Sequence, residues 1–233
     1  MNKCIAIIPA RGGSKRIPRK NIKDFFGKPL IAYTIEVAKK SKLFDRIIVS
    51  TDNVEIANIA KSYGAEVPFM RSKALSDDFS TTGDVVQDLL KELQTVGENF
   101  EYVCTLYATA PFLQVAYLHK AYKRLQASDA VVAFSATVMP FPIQRTFKIT
   151  PEGRCEMFHP EHFRTRSQDL EEAYQDAGQF YWEKVTQNLP DILFSQESIP
   201  ILLPRYLVQD IDTLDDWKMA ELMYELLQKR GLR

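Results

Sequence analysis

Residues 5–21 read Ile5-Ala-Ile-Ile-Pro-Ala-Arg-Gly-Gly-Ser-Lys-Arg-Ile-Pro-Arg-Lys-Asn21. A short apolar run without alternation is the pattern of a strand buried on both faces, as in a parallel sheet covered by helices. The run ends in Pro9 and delivers two glycines and a burst of cations to one edge of the sheet. Gly12 and Gly13 let the backbone turn tightly and present N–H groups to an anion. Ser14 adds a hydroxyl donor. Arg11, Lys15 and Lys20 can neutralise a polyphosphate, the arginine in a bidentate manner. The spacing is neither Gly-x4-Gly-Lys-[Ser/Thr] nor Gly-x-Gly-x-x-Gly, so neither familiar nucleotide loop applies. A solvated basic turn is the competing reading, above all for Arg16 and Lys23.

The charge of this loop is local. The 233 residues carry 30 Lys+Arg against 30 Asp+Glu, so no global field favours nucleic acid or an anionic membrane. Between Arg11 and Lys28 stand Arg11, Lys15, Arg16, Arg19, Lys20, Lys23 and Lys28 against Asp24 alone. That favours a small anionic ligand over a polyanion. Cys4, Cys104 and Cys155 form neither a disulfide framework nor a zinc spacing, and a cytoplasmic setting is expected. No window approaches the ~18–20 apolar residues of a membrane span.

Outward from the loop, strand-like and helix-like stretches alternate. Residues 3–9, 46–51, 102–107 and 130–135 read as short buried strands. Helical periodicity runs over 29–41, 53–62, 81–96 and 114–127. This order predicts a three-layer αβα fold, Rossmann-like, with a mostly parallel sheet. One domain over 1–233 is expected. The rhythm breaks at 137–165, where Pro140, Pro142, Pro151 and Pro160 interrupt any helix, and this reads as an inserted arm for dimerisation. A helix near 167–176, a strand near 178–182 and an amphipathic helix over 213–229 complete the expectation.

The motif Ile-Pro-Ala-Arg-Gly-Gly-Ser-Lys-x-Ile-Pro-Arg-Lys-Asn resembles the first motif of the cytidylyltransferases that activate nonulosonic, sialic-acid-like sugars. The resemblance continues through Ser50-Thr51-Asp52, through Arg71-Ser-Lys-Ala-Leu-Ser-Asp-Asp-Phe-Ser-Thr-Thr82, and to Asp210-Ile-Asp212. It implies a nucleotide-diphospho-sugar transferase fold and a reaction. The sugar's anomeric hydroxyl attacks the α-phosphorus of CTP, giving a CMP-sugar and pyrophosphate. It also implies that Arg11, Ser14, Lys20 and Asn21 contact the nucleotide, with Ser80, Thr82 and Arg71 in a second contacting segment. For Ser80 and Thr82, capping of the following helix is an equal reading. Asp210 and Asp212, two apart in an extended segment, face the same way and suit Mg²⁺, which takes oxygen ligands and bridges phosphates. Asp212 also stands where it could cap the last helix. A metal-bound alkoxide would need no protein base for the sugar hydroxyl; if a protein group takes that proton, Asp212 is the candidate, with Arg11 and Lys20 stabilising the reacting phosphates.

On the sugar side this chain departs from the sialic-acid enzymes. Where they resemble Leu-Gln-Pro-Thr-Ser-Pro-Leu-Arg, it has Leu106-Tyr-Ala-Thr-Ala-Pro-Phe-Leu113. Where they have Asn-Gly-Ala-x-Tyr, it has Ala177-Gly-Gln-Phe-Tyr-Trp182. Both stretches are similar to pseudaminic acid cytidylyltransferases of bacterial surface-glycan pathways. More apolar replacements suit a sugar with fewer hydroxyls and added methyl or acetamido groups. The expected sugar contacts are Tyr107, Gln179, Phe180, Tyr181 and Arg166, with strand core as the alternative for Phe180 and Trp182. N-acetylneuraminic, legionaminic or 3-deoxy-octulosonic acid would keep the chemistry and change the acceptor. A nucleotide-binding protein without catalysis is the reading from another class.

Overall fold

The computed structural model describes residues 3–76, 80–185 and 192–232. Chain order is β1 (Cys4–Pro9), a small hairpin of β2 (Asp24–Phe25) and β3 (Lys28–Pro29), α1 (Leu30–Ser41), β4 (Arg46–Ser50) and α2 (Val54–Ser62). Then come α3 (Thr82–Thr95), β5 (Tyr102–Leu106), α4 (Val115–Gln126) and β6 (Val132–Val138). An outlying hairpin of β7 (Phe147–Ile149) and β8 (Cys155–Met157) precedes β9 (Tyr174–Lys184), β10 (Ser198–Leu202) and α5 (Leu214–Lys229). Six strands form one sheet in the order β10-β6-β9-β5-β1-β4. β1 pairs in parallel with both β4 and β5, and β10 pairs in parallel with β6. β9 is inserted antiparallel between β5 and β6. β1 therefore stands where successive crossovers leave in opposite directions, the position at which open α/β sheets bind ligands.

Strand parity sorts the two faces of the sheet. Cys104, Leu106, Phe180 and Trp182 join Ile31 and Ile35 of α1, Ile56 of α2, and Leu118 and Leu125 of α4 in the larger core. On the opposite face, Ile5, Ile7, Ile48 and Val103 pack under Val86, Leu89 and Leu93 of α3. α3 starts cleanly because Thr81 and Asp84 form a reciprocal capping box. Asn53 caps α2 by accepting from the N–H groups of Glu55 and Ile56.

Two expectations are corrected. The helix foreseen over 167–176 is a single 3-10 turn at Ser167–Asp169. Tyr174, Gln175 and Asp176 instead extend β9 by pairing with Val138, Thr137 and Ala136 of β6, a long-range ladder that outweighs local propensity. The strand β10 went unforeseen because Pro200 lies inside it, and it is tolerated because β10 is an edge strand. Among the described residues no helix is long and apolar enough to cross a membrane.

Trp182 is the largest fully buried side chain. Its ring stacks on Tyr122 at 4.7 Å and on Phe44 at 5.1 Å, while its indole N–H has no hydrogen-bond partner among the described residues. Trp182→Ala is expected to destabilise the protein by about 3–5 kcal/mol in urea melts. Trp182→Phe is expected to cost clearly less, since it keeps an aromatic ring and removes the unpaired donor.

Candidate active site

The basic loop after β1 is held at two apolar points. Ile17 and Phe25 are almost completely buried in a cluster with Tyr33, Trp217 and Tyr224. Phe25 meets Trp217, Tyr224 and Tyr33 edge to face, at ring separations of 5.5, 5.1 and 5.6 Å. Phe26 and Gly27 both take positive φ, 51° and 80°, which is the two-residue turn that a tight hairpin needs. Phe26 occupies this conformation while stacking on Tyr224 at 4.5 Å. The Lys23 ammonium lies 4.4 Å from the Trp217 ring. α5 is thereby clamped to the loop, and the segment entering α5 arrives beside the cations.

That segment carries Asp210 and Asp212. The Lys20 ammonium donates to the Ile211 carbonyl at 2.6 Å and to Asp212 Oδ1 at 3.1 Å. Arg16 reaches Asp212 Oδ2 at 2.8 Å. Asp212 does not cap α5. Thr213 does, in a box with Asp216, which also accepts the Asp212 N–H. The Asp212 side chain is thus directed at the loop. Burial, then the neighbouring Asp212 charge, raises the Asp210 carboxyl above its ordinary range, with Lys20 opposing.

These groups open onto a cavity of ≈ 590 Å³ at the C-terminal ends of β1 and β5. Arg11, Ser14, Lys15, Lys20, Asn21, Arg71, Ser80, Thr82, Tyr107, Asp210 and Asp212 all line it, joined by Thr109 and Thr81. Residues far apart in sequence meet here. Arg71 is half-buried and anchored on Ser50 of β4 through both its side chain and its carbonyl. Burial lowers its pKa, with Asp52 opposing that shift and Arg11 adding to it. Asn21 donates its amide to the Arg11 carbonyl at 3.0 Å and so braces the loop from within. Ser80 donates to the Ala74 carbonyl, and the helix cap is Thr81, which frees Thr82 from that role. Residues 77–79 of the second motif lie outside the described residues.

Other expected site residues go elsewhere. Gly12 and Gly13 are not part of the cavity wall. The Gly12 N–H donates to Asp52 Oδ1 at 2.8 Å, and a Cβ there would sit 2.9 Å from the Asn53 side chain, so close approach explains this glycine. Asp52 accordingly holds the loop, and the helix cap is Asn53. Phe180 is fully buried in the larger core. Gln179 is buried too, with its amide donating to the Leu207 carbonyl at 2.5 Å. Both residues lie within a bulge of β9, since Phe134 pairs with Tyr181 but Ala136 pairs with Asp176. Arg166 is exposed, bonded to Asp169 at 2.8 Å, and lines neither this cavity nor its neighbour.

A second cavity of ≈ 510 Å³ adjoins the first through Thr81, Thr82 and Tyr107. Its floor is the face of β5, β9 and β6 that α3 leaves open, with Thr105, Tyr181, Glu183 and Val132. The Tyr181 hydroxyl donates to Asp176 Oδ2 at 2.6 Å, and its ring lies 5.3 Å from that of Tyr107. Burial, then Tyr107 and Asp176, raises the Tyr181 pKa strongly, so it stays a neutral donor. Glu183 was missed in the sequence. The signal available was its spacing of two from Tyr181, which gives both the same face.

Burial pushes the Glu183 carboxyl up from its ordinary 4.5 to about 7. The folded state then binds more protons than the unfolded state between these values, so this group makes stability fall as pH rises across the interval. Denaturant melts at about pH 5 and about pH 8 should show Glu183→Gln losing less stability than the parent over that rise. Parallel pH profiles for the two proteins would contradict the burial-driven shift.

A family model described as Cytidylyltransferase matches residues 5–199. A pseudaminic acid cytidylyltransferase of Campylobacter jejuni is 46% identical over 225 residues, covering 96% of this chain and 97% of that protein. A longer Helicobacter pylori protein is 37% identical, with 98% of this chain matching 44% of it. It is described as a pseudaminic acid cytidylyltransferase and UDP-2,4-diacetamido-2,4,6-trideoxy-beta-L-altropyranose hydrolase. Among solved structures, a CMP:2-keto-3-deoxy-manno-octonic acid synthetase complexed with CTP aligns with a TM-score of 0.69. The alignment covers 96% of this chain and 99% of that one, and at 16% identity the likeness concerns the fold. With a family match over most of the chain and a relative so similar along almost its whole length, the chain belongs to the cytidylyltransferase family.

Proposed function

We propose that this cytidylyltransferase transfers CMP from CTP to the anomeric hydroxyl of a nonulosonic acid, and that the acid is pseudaminic acid. The observation that carries the reading is the first cavity, where a cation-rich loop faces the Asp210–Asp212 pair across the switch point of the sheet. The acceptor is supported by the two relatives that carry the pseudaminic acid name and by Tyr107 at the junction of the two cavities. The hydroxyl oxygen bonds to the α-phosphorus, the bond from that phosphorus to the bridging oxygen breaks, and pyrophosphate leaves. Arg11, Lys15 and Lys20 neutralise the triphosphate and hold it in line. Such positioning and charge stabilisation account for most catalysis of phosphorus transfer. Arg71 and Ser80 bind on the nucleotide side, and Asp212 takes the hydroxyl proton.

Asp210 and Asp212 suit Mg²⁺. Burial, then the neighbouring Asp212 charge, raises the Asp210 carboxyl, and Mg²⁺ typically uses one or two carboxylates together with substrate phosphates. Among the described residues no cluster of three or more metal-ligating side chains exists. When bound, the ion would offset charge on the α-phosphate. Lys20 and Arg16 occupy Asp212 in the structure, so nucleotide binding would draw these cations onto phosphate and leave one carboxylate oxygen for the metal and the other for the hydroxyl proton.

The assay is pyrophosphate release from CTP and Mg²⁺ against a panel of nonulosonic acids. Preference for the pseudaminic isomer is expected; preference for N-acetylneuraminic acid would change the acceptor and keep the reaction. Nucleotide binding without release from any acid would support the non-catalytic alternative. Asp210→Asn and Asp212→Asn should each lower kcat at least ~100-fold. Turnover of Asp210→Asn at the parent rate would exclude the metal assignment.

We also assign the arm, residues 137–165, to pairing with a second copy of the chain in the cytoplasm. Its hairpin exposes Phe147, Ile149 and Phe158, with Phe141 and Phe163 on the flanking turns, all more than half exposed. So much exposed apolar surface marks an interaction site. Sedimentation should give twice 26.8 kDa for the parent. Phe147→Asp combined with Phe158→Asp should shift it to the monomer, and a parent that runs as a monomer throughout would exclude the assignment.

A further inference from the structure

We propose that Glu183 determines acceptor specificity by accepting, in the second cavity, the N–H of the acylamino substituent that a diacetamido sugar acid has and a monoacetamido one lacks. This rests on the acceptor reading above and deepens it.

The geometry begins with β9. Tyr181 and Glu183 share one face, and their partners on β5 are Thr105 and Val103. On β6, Val132 lies directly opposite Glu183. The cavity's polar groups are mostly committed. Tyr181 donates to Asp176, and Asp84 accepts from the Thr81 N–H and hydroxyl. Among the described residues the Glu183 carboxyl has neither a hydrogen-bond nor an ion-pair partner, and burial alone raises its pKa. A half-buried carboxyl without a partner is costly in a folded protein, and a ligand donor is what would offset that cost.

The surroundings select the donor. Val132 and Leu193 give the cavity apolar wall beside the carboxyl, and Tyr107 and Tyr181 add ring surface. An acetamido group brings an N–H for the carboxyl and a methyl for that wall. A hydroxyl brings the donor without the methyl. An ammonium would have to give up its hydration beside a carboxyl that burial already keeps partly protonated near neutrality. An amide also has a carbonyl, so it can pair with either protonation state: its N–H meets the carboxylate, or its C=O accepts from the acid. The volume of ≈ 510 Å³ lies in the range of small-molecule sites. The diacetamido sugar in the description of the Helicobacter pylori relative has two such groups.

The test is steady-state kinetics with CTP and a diacetamido nonulosonic acid. A monoacetamido acid serves as alternative substrate or competitive inhibitor. Glu183→Ala is expected to raise the KM for the diacetamido acid about tenfold or more while the KM for CTP stays within about twofold. The constant for the monoacetamido acid should move much less, so the preference between the two acids collapses. Glu183→Gln keeps the volume and one acceptor oxygen; it should raise the same KM by less, and it decides the matter if the alanine variant does not fold. An unchanged acceptor KM in the folded variants, or an equal change for both acids or for CTP, overturns the assignment alone. A parent inactive on every acylamino acid overturns the acceptor reading and the assignment together.

Discussion

The ammonium of Lys20, bonded to the Ile211 carbonyl and to Asp212, joins segments 191 residues apart and is the contact on which the site depends. Its loop concentrates cations that repel one another, and a loop of that kind is ordered only if other forces hold it. Apolar burial of Ile17 and Phe25 against α5 supplies one. Carboxylates supply the other, with Asp212 meeting Lys20 and Arg16, Glu55 meeting Arg19, and Glu36 meeting Lys28. The exposed pairs are worth little each. The partly buried pair at Lys20 has more effect because it fixes where the acidic segment lies relative to the loop. The same compensation that orders the loop gathers the two charge types of a nucleotide and metal site into one cavity.

The antiparallel insertion of β9 shapes the rest. By pairing with both β5 and β6 it presents Phe180 and Trp182 to the larger core and Tyr181 and Glu183 to the open face. Helix α3 covers the β4–β1–β5 part of that face. The uncovered part is the second cavity, and its contact with the first through Tyr107 puts two substrate-sized spaces side by side. A transfer between two bound molecules needs that adjacency.

Three carboxyl groups in these cavities are in three different states. Asp212 accepts from two cations, Asp210 is raised by burial and by its acidic neighbour, and Glu183 is raised by burial alone. Side-chain identity does not separate them. What separates them is the distance to Lys20 and Arg16, the depth of each group, and the element that carries it.

Much of this was legible in the residues. The apolar run into Gly12-Gly13 and the cations announces a sheet edge that binds anions, and every expected loop side chain except the two glycines lines the cavity. Helix periodicity placed α1 to α5 to within a residue or so, because burial repeats every 3.6 residues whatever the partner. The functional segments near Arg71, Ser80 and Asp210 could also be picked out, though not their meeting. What local sequence could not determine was which way each β9 side chain faces. Gln179, Phe180, Tyr181 and Glu183 all lie in one stretch, and the bulge against β6 and the register with β5 decide that two face inward and two face the cavity. Nor could it show that Gly12 is a glycine because Asn53 lies against it, or that Asp212 is free of capping duty because Thr213 and Asp216 perform it. Composition and periodicity act over a few residues and determined the elements. The site depends on pairings between residues tens to hundreds of positions apart, and only the tertiary structure decides those.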